Sequence, residues 1–391
     1  MRLLKIKVNG LKLFLDSLEI DFTTSQRVIK DKNEMLYKIS PQIHLNKAIS
    51  FIGINASGKT STLKVISFII QMLNNEPINN IKYKDILYGI SVDEKITFET
   101  YFSTQAGTIN KLETIIVKDR LYDGEDEKFV IFDEKMWSKG VASVKTKKSL
   151  FVFEDLAPVQ VRDNDEMFLA DDVSIIIALN KKNSSKIYCE DLVTWTNLNL
   201  VRILGKFPKE LITFLDPSIE YLEGEVSDGG KKIEIRLKFK NKKEMILYSP
   251  FELEEYLSSG TIKGVNVFMH AMMVLSKGGY LIIDELENHF NKEIAITLVR
   301  FFMTDSVNKK GSTILFSTHY PELLDVFERN DNIYIIKNEG GISVENLSDM
   351  LNRNDIKKSE IYQSGYLQGT VIAYEAYMDL KNSIINFKGD K

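Results

Sequence analysis

The chain has 391 residues, 44% hydrophobic and 27% charged, with a formal net charge of −4. That is enough chain for two or three compact units around a sizeable core, and the balance excludes a disordered chain and a uniformly basic surface. One cysteine, Cys189, excludes an intrachain disulfide and fits a reducing cytoplasm, and no uncharged apolar run reaches the roughly 18 residues of a membrane span.

Residues 1–8 do not read as a secretory signal, because Lys5 and Lys7 break their apolar run. Residues 3–8 and 18–22 alternate apolar and polar around Gly10, which predicts an opening β-hairpin. Residues 24–46 read as an irregular connection. The apolar run 48–52 ends at a glycine loop, as a buried strand would. Leu63, Ile66, Ile69 and Ile70 then recur at helical spacing over 60–73. Residues 95–135 are β-rich: Ile96, Phe98 and Phe102 share a face, and 112–117 and 129–132 supply further strands around a turn at 123–126. Residues 165–215 shift to helical character, with helices expected over 167–179 and 189–204 and Pro208 and Pro217 closing the segment. Residues 231–248 return to β, with Ile233, Ile235, Leu237 and Phe239 facing one way and Lys232, Arg236, Lys238 and Lys240 the other. From 257 onward helix and strand alternate, as in an α/β sheet.

The chemistry concentrates in a few short segments. Gly53-Ile54-Asn55-Ala56-Ser57-Gly58-Lys59-Thr60 is a complete phosphate-binding loop, set between the expected strand and helix. Gly53 and Gly58 let the backbone aim N–H groups at phosphate oxygens, and the helix start adds its partial positive charge. Lys59 is suited to the terminal phosphates and the Thr60 hydroxyl to Mg²⁺; Asn55, Ala56, Ser57 and Ser61 complete the nucleotide contacts. Residues 280–283 are an apolar strand ending in Asp284-Glu285. A carboxylate at the C-terminal end of such a strand can hold Mg²⁺, and a second one can orient or deprotonate an attacking water. His319 closes another apolar strand and could contact the γ-phosphate or that water. Ser258, Ser259 and Gly260 open a helix, where they could serve an anion or simply cap it.

The order of glycine loop, Leu257–Thr261, Asp284–Phe290 and Phe316–His319 resembles ABC-type ATPases of the SMC and RecF branch, and more closely OLD-like AAA-type ATP-binding proteins. Residues 329–333 and 362–369 resemble the C-terminal end of that group. The resemblance implies an α/β fold: an ABC-type P-loop ATPase head with an antiparallel β-subdomain and a helical insertion. Its parts would be an N-terminal lobe (1–135), a mainly helical insertion (136–230) and a C-terminal lobe (231–391). It further implies ATP and Mg²⁺ as ligands, Glu285 as catalytic base and His319 as switch histidine. Two heads, or a higher even number, would pack head-to-tail, each ATP lying between one head's Lys59 loop and the other's Ser258–Gly260, with 286–289 at the seam. Gln71 and Gln105 are the candidates for the family's glutamine-loop residue.

Residues 136–230 carry no sustained heptads, so the long coiled coil of SMC repair proteins is not expected. The stretch after His319 is short for the nuclease domain of OLD proteins. The resemblance therefore implies a cytoplasmic head that controls a separate effector, a nuclease or toxin in antiphage defence. The alternatives are a RecF-like DNA-binding repair ATPase, for which 232–243 offers a basic face, and a slow-turnover ATP-dependent scaffold. No membrane partner is expected.

Overall fold

The computed structural model describes residues 1–28, 34–120, 126–163, 169–183, 186–194, 205–227, 232–288, 291–351, 353–367, 369–370 and 374–387. Its centre is a six-stranded sheet. The strands run in the order Cys189–Leu192, Tyr280–Ile283, Thr313–Thr318, Ala48–Ile52, Ile333–Asn338 and Ile342–Asn346. The first five are mutually parallel, and the last pairs antiparallel with its neighbour. Their near-continuous apolar runs match a sheet covered on both faces.

Alternation along these strands feeds two cores. Ile49, Phe51, Ile282 and Leu315 face the helix Lys59–Leu73 and, beyond it, an antiparallel sheet. Ala48, Ile52, Leu281, Ile283, Ile314 and Phe316 face the helices Ser259–Lys277 and Lys292–Met303. Being nearly buried all round, the helix Lys59–Leu73 is a central layer between two sheets. Phe68 on this helix stacks on Phe98 of the antiparallel sheet at 5.6 Å between ring centroids. Full burial of such a side chain contributes about 1.5–3 kcal/mol.

The antiparallel sheet runs Leu18–Asp21, Arg2–Asn9, Ile96–Ser103, Thr108–Lys118, Phe129–Gly140, Gln160–Val161, and contains the expected opening hairpin. A four-stranded sheet (Gly205–Lys206, Ile219–Ser227, Lys232–Phe239, Met245–Leu247) packs on the helix Lys209–Leu215 and the start of the helix Ser259–Lys277.

Three expectations are corrected. Residues 24–46 contain a two-stranded ribbon, Leu36–Lys38 with His44–Asn46. Cys189–Leu192 is a strand pairing with Tyr280–Ile283, not the start of a helix, while 195–204 lie outside the described residues. Its polar residues find partners remote in sequence: His270 meets Glu190, and Ser67 and Tyr83 meet Asp191. The segment 136–230, expected to be mainly helical, holds two α-helices among its described residues, Ile176–Asn183 and Lys209–Leu215, together with short 3-10 turns and several strands. Sheet pairing outweighs the local helical spacing there. The expected turn at 123–126 falls largely outside the described residues.

Candidate functional site

The strand Ala48–Ile52 delivers the chain to the glycine loop, and Lys59 opens the next helix. Two glycines are required by geometry. A Cβ on Gly53 would lie 2.4 Å from the Ile336 carbonyl oxygen, and Gly58 sits at φ +105° against the Ile342 side chain. Only glycine takes that left-handed turn without strain. Ala56, also left-handed at φ 59°, forms the exposed crest with Asn55, and Asn338 Nδ2 donates to the Ala56 carbonyl at 3.0 Å. Ser57 is buried and its hydroxyl has no partner. Ser61 is half-buried in the first helical turn.

Lys59 folds back onto its own loop, donating to the carbonyls of Gly53 at 3.0 Å and Ile54 at 3.1 Å. Burial pushes its pKa down, and the carboxylates of Asp284, Glu285 and Glu287 oppose that shift. The Thr60 hydroxyl donates to Asp284 Oδ2 at 2.6 Å. Asp284 also accepts from the Ser317 hydroxyl on the adjacent strand, and Ser317 Oγ in turn accepts the Glu285 N–H at 2.7 Å. The register pairs Ile283 with Phe316, so strand alternation sets Asp284 beside Ser317.

Glu285 sits at φ 49° with its carboxylate half exposed. One oxygen lies 3.5 Å from His319 Nε2, and the other accepts from Asn288 Nδ2 at 3.3 Å. His319 Nδ1 stands 3.3 Å from the Lys59 ammonium. An ammonium can only donate, so Nδ1 is the acceptor and Nε2 carries the proton facing Glu285. The buried Glu287 accepts the His319 backbone N–H and keeps its other oxygen unpartnered.

Lys59, Thr60, Asp284, Glu285 and His319 therefore converge. Ser258–Gly260 belong to a separate helix start, where Ser258 Oγ accepts from Thr261 N at 3.1 Å and so acts as the cap. One turn into that helix, Lys263 shares a cavity of about 140 Å³ with Asp284, Glu285 and Asn288. Neither glutamine joins the cluster. Gln71 bonds Ser67 about 18 Å along the helix from Lys59, and Gln105 lies at a hairpin turn. His289 lies outside the described residues. On the basic hairpin, Lys238 pairs with Glu220 at 3.1 Å and Arg236 with Glu234 at 2.9 Å. Sequence reasoning missed the anchoring role of Ser317, although its place two residues before His319 on one strand was a usable signal.

The donors fit a nucleotide with Mg²⁺. The loop is a cradle that a Cβ would fill, and a hydroxyl and a carboxylate oxygen 2.6 Å apart are hard ligands of the kind Mg²⁺ takes. Among the described residues no helix is long and apolar enough to cross a membrane.

Residues 197–325 match the family model described as "AAA domain, putative AbiEii toxin, Type IV TA system". Among solved structures, the SMC head domain from Thermotoga maritima is similar at 13% identity and a TM-score of 0.43, over 88% of this chain and 99% of that one. No curated protein matches the chain. The family match is confined to residues 197–325, and the sheet topology and the order of the motifs agree with an ABC/AAA-type ATP-binding head.

Proposed function

We propose that this head hydrolyses ATP between two copies of itself, packed head-to-tail, and thereby controls a separate effector. The observation that carries the reading is the convergence of Lys59 and Thr60 with Asp284, Glu285 and His319 at the C-terminal ends of two neighbouring strands.

In this reading the loop N–H groups and Lys59 bind the phosphates, Lys59 exchanging the Gly53 and Ile54 carbonyls for phosphate oxygens. Thr60 and Asp284 would hold Mg²⁺, which when bound neutralises phosphate charge. Glu285 accepts a proton from the attacking water, the step for which its half-exposed carboxylate is suited. His319, with Nε2–H toward Glu285, orients that carboxylate and reaches toward the terminal phosphate. Ser259 and Gly260 of the second head complete the site from the other side, since Ser258 already caps its helix. Effector control is proposed from the resemblance to defence ATPases and from the toxin–antitoxin description of the matching family.

Phosphate release separates these roles. The wild type should release phosphate, Lys59→Ala should lose ATP binding, and Glu285→Gln should bind ATP without turnover. Full turnover by Glu285→Gln would remove the base assignment. For the effector, co-expression with the products of adjacent genes should give growth arrest that depends on Lys59. Growth indifferent to Lys59 would reject that part.

A further inference from the structure

A second cavity, of about 510 Å³, lies at the opposite end of the core sheet from the phosphate loop. It meets Gly278 and Gly279 just before the strand Tyr280–Ile283, whereas Asp284 follows that strand at its far end. Four cationic side chains from four separated segments line it beside Met1: Arg2, Lys38, Lys186 and Lys277. No aspartate or glutamate stands among the described residues lining it. The three lysines are exposed.

In a chain of net charge −4 this segregation needs a cause, because like charges around one concavity repel. The surroundings hold two of the four in place. The Arg2 guanidinium lies 4.4 Å from the Tyr37 ring centre and bonds the carbonyls of Lys310 and Gly311, while the Lys277 ammonium lies 4.1 Å from the Tyr188 ring centre. Such stacking orders a cation, and the Glu190 carboxylate, which accepts from the Tyr188 hydroxyl, feels the Lys277 charge from outside the lining.

We propose that this cavity binds a phosphate-bearing ligand of mononucleotide size, at a site separate from the ATP site. The volume falls within the range of small-ligand pockets, and clustered lysine and arginine donors suit phosphate oxygens. Lys277 ends the helix whose first turn carries Ser259 and Gly260, about 28 Å away along 19 residues. A ligand held there grips the far end of the element that closes the proposed ATP site.

The test is calorimetric titration of the full chain with inorganic pyrophosphate and with a short 5′-phosphorylated oligothymidylate. All titrations use the Lys59→Ala chain, which removes the phosphate-loop site; it should still bind pyrophosphate, with affinity falling as salt rises, and it is the background for the variants below. The doubly reversed Lys186→Glu, Lys277→Glu chain should bind at least tenfold more weakly. Should that variant unfold, Lys38→Gln with Lys186→Gln gives the same comparison with a smaller loss. Pyrophosphate displacing the oligonucleotide supports a small-ligand cavity. Oligonucleotide binding that pyrophosphate cannot displace overturns the mononucleotide-size assignment. No pyrophosphate binding at low salt, or unchanged affinity in the charge-altered chains, overturns the site.

Discussion

Replacing Ser317 with alanine removes one hydroxyl and two anchors. Ser317 is fully buried, donates to Asp284 and accepts the Glu285 N–H at 2.7 Å. Losing the acceptor strands a part-buried N–H, at the low end of the about 1–3 kcal/mol that a buried one costs, and losing a donor to a carboxylate costs about 1.5–3 kcal/mol. Asp284 keeps the Thr60 hydroxyl, so the total should fall near the lower end, about 3 kcal/mol. The functional effect should be larger than the stability loss suggests. Glu285 is held at φ 49°, a conformation worth about 1–3 kcal/mol of strain, which persists only where neighbours fix it. Freed of its N–H anchor, Glu285 can relax and carry its carboxylate away from His319. A misplacement of about 1 Å can cost about a hundredfold in rate. The assay pairs chemical denaturation with phosphate release under saturating ATP, with Ser317→Thr as the hydroxyl-retaining control. Lower stability with an unchanged turnover number would refute the anchoring argument. No change in either would refute the hydrogen bonds themselves.

Two further outcomes follow from the backbone and from burial. Gly58→Ala should cost about 1–3 kcal/mol and abolish ATP binding, because φ +105° disfavours any Cβ; adding Ile342→Ala should relieve the 2.5 Å clash without restoring binding, and full restoration would contradict the strain argument. Burial raises the Asp21 carboxyl from 3.8 to about 6, so the native state binds the extra proton and this group's stabilisation, present in acid, is lost as pH rises from about 4 to 6. Asp21→Asn should therefore gain up to about 3 kcal/mol over wild type at pH 7, with the difference closing near pH 4; a difference independent of pH in a denaturation series would contradict this.

The parts of the fold legible in the sequence were those where local pattern and tertiary role agree. The strand Ala48–Ile52, the glycine loop and the helix Lys59–Leu73 read directly, because apolar spacing and phosphate-loop chemistry point the same way. So did the strand Tyr280–Ile283 beside Thr313–Thr318, with Asp284 and His319 at their ends. The strand Cys189–Leu192 was hidden because its polar residues are satisfied by side chains remote in sequence, His270 and Tyr83 among them. Ser317 and Lys263 were overlooked for a related reason. Their importance lies in what they face across strands and helices, and spacing along one element does not report that.

The central claim is that this chain forms half of an ATP site. Its most direct test is the molar mass of the Glu285→Gln chain in solution, measured by light scattering with and without ATP and Mg²⁺. The proposal predicts a monomer without nucleotide and a stable dimer with it, and the dimer should be lost again when Gly260 is also changed to a bulky residue. A monomer in saturating ATP would contradict the head-to-tail arrangement.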